Sequence, residues 1–196
     1  AGSGAPYRED SNVTGEADRD EVRVWGAGGQ GAMLAGKLLA AAAVYDGKNA
    51  VQTQSYGPEA RGGKSKTDIV ISNGEIDYPK ATQVDVLLAM SQASLDEYLP
   101  SLREGGILVV DSYLVERVEH AGAVGIPFTM LALEKCGRKL FANVVALGAV
   151  AELTQIVQWE SLRSAVLERV PKGTESINEK ALALGRAAAR EARNEP

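Results

Sequence analysis

Val22-Arg23-Val24-Trp25-Gly26-Ala27-Gly28-Gly29-Gln30-Gly31, running on into Ala32-Met33-Leu34-Ala35-Gly36-Lys37-Leu38-Leu39-Ala40, decides the fold. A short segment with β-branched residues leads into a glycine-rich turn, and the turn opens into an Ala/Leu run of helical character. Strand, turn and helix in that order are the unit from which α/β domains are built. Gly26, Gly28 and Gly31 satisfy G-x-G-x-x-G, a spacing that lets backbone N–H groups at a helix start approach an anion closely. A phosphate and a carboxylate suit such a turn equally, and the spacing does not choose between them.

Working outward, the helix runs over residues 29–46, with Gly47 as its stop signal. Residues 49–54 read as a second strand. Residues 67–72 read as a third, and Asn73-Gly74 then signals a tight turn into a short return strand at residues 75–79. The apolar run 84–90 is a buried strand, with Ser91-Gln92-Ala93-Ser94 just past its carboxyl end. A helix follows over residues 94–102, then a turn at Glu104-Gly105-Gly106 and a strand at 107–110. Residues 125–129 suit an edge strand and 131–139 a helix. Asn143 stands where an N-cap is expected for a small-residue helix over 144–157. Helices at 161–169 (Leu162, Val166 and Leu167 inward) and 177–193 complete the chain. The alternation predicts an α/β domain, three-layered and Rossmann-like, with a mostly parallel, mixed sheet over residues 21–193. Residues 1–20 are small, polar and aperiodic, and read as a flexible tail.

Composition narrows the function. The net charge of −5 argues against free nucleic acid or an anionic membrane as partner. No apolar run reaches the roughly 18 residues that a membrane span needs. The first residues lack the apolar segment of a secretion signal, so a cytoplasmic location is expected. One Cys cannot form an internal disulfide or hold an iron–sulfur cluster alone. One His makes a zinc site of the usual His/Cys kind improbable.

The glycine turn invites a dinucleotide reading, which requires an acidic residue at the end of the second strand to hold a ribose hydroxyl. Here that strand ends in Gln54-Ser55, and Asp46 precedes it. Catalytic groups are sparse. His120 lies in a polar connection and reads as a surface histidine. Cys136 sits among Glu134, Lys135 and Arg138, whose basic members can lower a thiol pKa, but an ordinary helix cysteine is the simpler reading. No G-x-S-x-G, H-E-x-x-H or Walker lysine occurs. The chain reads as one that binds without breaking bonds itself. Its second candidate element is Ser55-Tyr56-Gly57-Pro58-Glu59-Ala60-Arg61-Gly62-Gly63-Lys64-Ser65, a loop at the carboxyl end of a strand. Ligands of open α/β sheets bind at that edge, and Arg61 beside two glycines suits phosphate or carboxylate.

Taken together, the Gly26–Gly31 turn with its Ala/Leu helix, Tyr56-Gly57-Pro58-Glu59-Ala60-Arg61-Gly62-Gly63, Asp85-Val86-Leu87-Leu88-Ala89, Gly105-Gly106, and Asn143 with Leu147-Gly148-Ala149 resemble the gamma subunit of 2-oxoacid:ferredoxin (acceptor) oxidoreductases. The resemblance covers nearly everything but the two ends, about residues 22–187. It implies a complex that converts a 2-oxoacid and coenzyme A to acyl-CoA, carbon dioxide and reduced acceptor. Thiamine diphosphate and Mg would lie on alpha and beta partner subunits. Iron–sulfur clusters would lie on the beta chain or a ferredoxin-like delta chain, and none of these groups on this chain alone. It further implies that this chain carries no catalytic residue and helps to form a shared coenzyme A site, with Gly28, Gly29, Gln30, Arg61, Gly62 and Asn143 as candidate contacts. The filling of residues 54–61 looks most like the 2-oxoglutarate type. Pyruvate-, aryl-glyoxylate- and indolepyruvate-type complexes are the alternatives within the family. A free-standing dinucleotide-binding redox domain and a purely structural scaffold are the alternatives outside it.

Overall fold

A computed structural model describes residues 19–26, 31–56 and 65–194. The expected tail lies almost wholly outside them. Among the described residues six strands form one sheet: β1 (Arg19–Gly26), β2 (Asn49–Tyr56), β3 (Ser65–Ser72), β4 (Val84–Ala89), β5 (Leu102–Asp111) and β6 (Val124–Ile126), in the order β2-β3-β1-β4-β5-β6. The pairs β1–β4, β4–β5 and β5–β6 are parallel, whereas β3 is antiparallel to both β1 and β2. The sheet is therefore mixed and mostly parallel, as expected, but for a different reason from the one read in the sequence. Residues 75–79 form no return strand. Both edges of β3 are already occupied, Val22 facing Ile69 on one side and Gln52 facing it on the other. A third partner has no hydrogen-bonding edge to use.

Six helices among the described residues cover the sheet: α1 (Ala32–Tyr45), α2 (Gln92–Tyr98), α3 (Phe128–Cys136), α4 (Ala142–Thr154), α5 (Trp159–Arg169) and α6 (Glu175–Asn194). Strand β4 shows how the two faces are divided. Val86, Leu88 and the following Met90 enter the larger core with residues of α1, α3, α4, α5 and α6. Leu87 and Ala89 point the other way and pack with Leu95 of α2, Leu108 and Val110. The layers are thus helix, sheet, helix, but unequal.

Several expected boundaries move. The first helix begins at Ala32, after Gly31, and the strand before it extends back to Arg19. Glu104-Gly105-Gly106 is no turn between elements. It is a bulge within β5, where Val84 faces Leu102 while Val86 faces Ile107. Residues 128–129, assigned from sequence to an edge strand, begin α3, which ends at Cys136 and is followed by a 3-10 turn at Lys139–Phe141. The helix after β4 starts at Gln92 and gives way to a 3-10 turn at Leu99–Ser101. In α5 the fully buried positions are Leu162, Ala165 and Val166, with Leu167 only half-buried.

Helix α4 is the centre of the larger layer, with nearly every residue buried. Its small residues admit α6 at very close range. A Cβ on Gly148 would lie 2.0 Å from the Leu182 carbonyl oxygen, and one on Gly185 would lie 1.7 Å from that of Val145. On the α2 side of the sheet β1 carries charge. Arg23 donates to both carboxylate oxygens of Asp68, at 2.7 and 2.9 Å, and to Ser101 Oγ at 2.7 Å. Tyr98 lies against this group, its ring edge-on to Trp25 at 4.6 Å and under the Arg23 guanidinium at 4.9 Å. Burial, reinforced by Glu97, pushes its phenol up to about 12.

Candidate functional site

The sheet's carboxyl edge collects the segments that the sequence singled out. Strands β1, β4, β5 and β6 all end there. Because β3 is antiparallel to its neighbours, β2 ends and β3 begins at the same edge. Gly26 is paired with Ser65, and Ser65 with Tyr56. Residues 27–30 and 57–64 therefore depart from three laterally adjacent strand ends, each about 4.8 Å from the next. Gly28, Gly29, Gln30, Arg61 and Gly62 lie outside the described residues, but the register fixes where both of their segments are anchored.

Gly31 closes the turn as the N-cap of α1, in the left-handed region at φ 73° and ψ 23°. Among the described residues no side chain caps this helix start, and its first turn carries no acidic residue. At the start of α4 the N-cap residue, Phe141, makes no side-chain cap either, and the first turn carries no acidic residue. The two starts meet through one residue. Asn143 is buried, its Nδ2 donates to the Gly31 carbonyl at 3.4 Å, and its Oδ1 accepts from the Val144 N–H at 2.9 Å. A Cβ on Gly31 would lie 2.5 Å from Asn143 Nδ2. Asn143 is not the N-cap expected from sequence, because α4 begins at Ala142, two residues earlier than its pattern suggests. It is the second residue of α4 and ties that helix to the glycine turn. The start of α1 therefore offers partial positive charge and N–H donors, whereas at α4 the Ala142 N–H is taken by the Lys139 carbonyl and the Val144 N–H by Asn143 Oδ1, which leaves α4 to add its helix dipole.

The edge also contains groups that are already committed. Ser91 and Ser94 form a capping box at α2, with the Ser91 N–H donating to Ser94 Oγ at 2.8 Å and the Ser94 N–H to Ser91 Oγ at 3.3 Å. Gln92 Nε2 donates to Asp96 and to the Arg117 carbonyl, and its Oε1 accepts from the N–H groups of Glu116 and Arg117. These residues hold the fold. Asp111, at the end of β5, went unnoticed in the sequence. It is fully buried and accepts from the Tyr113 N–H at 3.1 Å and from Thr129, N–H at 3.1 Å and Oγ1 at 2.5 Å. Burial raises its pKa above the ordinary 3.8 against the pull of those donors. Its carboxylate ties β5 to the first turn of α3. An acid just before a strand-to-loop transition was the only sequence signal for it.

The other sequence candidates do not join this edge. Asp46 is the C-cap of α1 and accepts from the Gln158 N–H at 2.7 Å, so it holds no ribose-binding position after β2. His120 is half-buried in the connection between β5 and β6. Cys136 ends α3, and burial pushes its thiol up despite Lys180 nearby, the opposite of activation. Among the described residues no group of three or more His, Cys, Asp or Glu could hold a metal ion, and no helix is long and apolar enough to cross a membrane.

Comparison with known proteins places the chain in a family. The family model described as pyruvate ferredoxin/flavodoxin oxidoreductase matches residues 21–192. The 2-oxoglutarate synthase subunit KorC of Methanocaldococcus jannaschii is 48% identical over 178 residues, which cover 88% of this chain and 95% of the relative. The crystal structure of a keto/oxoacid ferredoxin oxidoreductase gamma subunit from Geobacter sulfurreducens superposes with a TM-score of 0.79 at 45% identity, covering 88% of this chain and 99% of that one. The 2-oxoglutarate:ferredoxin oxidoreductase from Magnetococcus marinus, solved with 2-oxoglutarate, coenzyme A and succinyl-CoA, gives a TM-score of 0.81. At 22% identity, over 90% of this chain and 32% of that one, it shares the fold.

Proposed function

Because this chain belongs to the pyruvate ferredoxin/flavodoxin oxidoreductase family, we propose that it is the coenzyme-A-facing gamma subunit of a complex acting on 2-oxoglutarate. One observation carries the assignment of the site: the Gly31–Asn143 contact joins the N-termini of α1 and α4 at the edge from which residues 27–30 and 57–64 depart. A diphosphate fits that arrangement. It needs donors and positive potential, and no carboxylate in the first turn of α1 or α4 opposes it. In this reading Gly28, Gly29 and Gln30 present backbone N–H groups, and Arg61 beside Gly62 supplies a guanidinium. Asn143 fixes the spacing of the two helices.

Coenzyme A, when bound, supplies the thiol that accepts the acyl group. This chain's part is to hold and orient that ligand, and its single Cys excludes a four-thiolate cluster of its own. Thiamine diphosphate, Mg and the iron–sulfur clusters belong in this proposal to alpha, beta and ferredoxin-like delta partners, in the cytoplasm. The 2-oxoglutarate assignment rests on the M. jannaschii relative and the filling of residues 54–61.

The test is steady-state kinetics of the complex reconstituted with Arg61→Ala. A charge-assisted contact contributes about 1.5–3 kcal/mol, so KM for coenzyme A should rise roughly tenfold or more. KM for 2-oxoglutarate should stay unchanged. An unaltered coenzyme A dependence refutes the assigned site. A preference for pyruvate in a screen of 2-oxoacids refutes the substrate assignment and leaves the site standing.

A further inference from the structure

The far end of α4 from the coenzyme A edge opens on a second feature. A cavity of about 480 Å³ is bounded by Glu152 and Gln155 of the α4 terminus, Gln158 and Trp159 at the start of α5, and Arg186 and Arg190 of α6. Helix α4 spans 13 residues from its contact with Gly31, so this cavity lies about 20 Å from the carboxyl edge.

Its charges are arranged rather than scattered. Glu152, with a side chain only 16% exposed, accepts from Arg186 Nε at 2.7 Å and from Arg190 Nε at 2.9 Å. Arg190 Nη2 reaches the same carboxylate at 3.3 Å. The Arg186 guanidinium lies over the Trp159 ring at 4.3 Å, which fixes its plane. Two guanidinium groups against one carboxylate leave a net positive charge in the lining. Among the described residues, neither terminal nitrogen of Arg186 donates a hydrogen bond. Gln155 adds an independent sign. It is the single non-glycine residue with positive φ among those described, at 54°, in the position after a helix where glycine or asparagine is usual. From that position Gln155 lines the cavity, at a conformational cost that glycine would not carry.

We propose that this cavity binds an organic monocarboxylate, its carboxylate seated on Arg186 and Arg190 and its apolar body against Ala151, Val157 and Trp159. The planar guanidinium fork matches a carboxylate. The half-buried Glu152 beside it disfavours a phosphate dianion, which overshoots the available charge. The volume exceeds that of a carboxylate alone and leaves room for an organic body. The site is independent of the coenzyme A reading.

The test is a nitrogen-15 NMR titration of the full chain, following the two tryptophan indole signals, the arginine Nε signals and the Asn143 side-chain amide. Trp25, 2% exposed in the sheet, and Asn143 serve as internal controls. Butyrate is the probe, with butyramide and inorganic phosphate as controls at matched ionic strength. Butyrate should shift Trp159 and Arg186 saturably, with a Kd on the order of 1 mM, and leave Trp25 and Asn143 in place. Butyramide should shift nothing, and phosphate should bind more weakly. Arg186→Gln should weaken butyrate about tenfold. Glu152→Gln, which removes the negative charge, should strengthen phosphate more than butyrate. Gln155→Gly, at an exposed position whose φ glycine prefers, should weaken butyrate without unsettling α4. Absence of a saturable Trp159 shift, equal response to butyrate and butyramide, or an Arg186→Gln and Gln155→Gly pair that both bind as the wild type overturns the proposal.

Discussion

Gly185→Ala should destabilise the protein, although alanine is the better helix former. In an exposed helix interior this exchange gains about 1 kcal/mol. Here the new Cβ would lie 1.7 Å from the Val145 carbonyl oxygen, 2.7 Å from its carbon and 3.0 Å from the Ala149 nitrogen. The obstruction is main chain of a helix that is itself buried almost throughout, so no side chain can rotate away. Relief requires α6 to retreat by roughly 1 Å or more, and a gap of that order forfeits about half of each dispersion contact it opens. The contacts at stake are those of Ala181, Leu182 and Ala189, the buried face of α6. Overpacking costs about 1–3 kcal/mol, at the upper end for a backbone clash, so after the propensity gain the net loss is about 2 kcal/mol. For a chain of this length that lowers Tm by about 4–8 °C. Gly148→Ala meets the Leu182 carbonyl at 2.0 Å and should behave alike. The double variant should lose less than the sum, because one retreat relieves both clashes. Urea denaturation of the four proteins in the cycle measures all three quantities. A Gly185→Ala variant as stable as the wild type, or more so, would refute the close approach of α4 and α6.

Three further outcomes follow from buried or paired charges. Arg23→Ala strands Asp68, 5% exposed, with Lys66 at 3.2 Å the one remaining cation against it among the described residues, and should cost about 3 kcal/mol in the same denaturation assay. Burial alone would raise the pKa of Glu152, but hydrogen bonds from Arg190 and Arg186 overcome it and hold the carboxyl below its ordinary 4.5. The stability that this group contributes is therefore complete above about pH 4.5 and lost as pH falls through the depressed value, so Glu152→Gln should flatten the acid limb of a stability-against-pH curve. Burial raises the Cys136 thiol pKa, so iodoacetamide at neutral pH should modify it more slowly than the same thiol in urea.

What could be read from the sequence divides along the distance over which each feature is determined. The first strand and the helix after it were legible because apolar composition and helix-start chemistry act within a few residues of one another. The strands were legible as apolar runs, but their neighbours were not. Asn73-Gly74 looked like a hairpin because nothing local announces that β1 and β2 already flank β3. Gly105-Gly106 looked like a turn because a bulge and a turn ask the same backbone freedom of glycine. Arg23 passed as a strand residue, since its partner Asp68 is 45 positions away. The site shows the same division. Candidate donors could be chosen by residue type, whereas what positions them could not. Asn143 looked like a helix cap by local preference, yet the carbonyl its side-chain amide reaches belongs to Gly31, 112 residues earlier. That contact also explains why Gly31 must lack a side chain, beyond its left-handed φ. A Cβ there meets Asn143 Nδ2 at 2.5 Å, and yielding would move the residue that joins the two helix starts. An alanine at Gly31 therefore strains the turn and displaces α4 together. Asn143→Gly should restore room for that alanine without restoring the link between the helices.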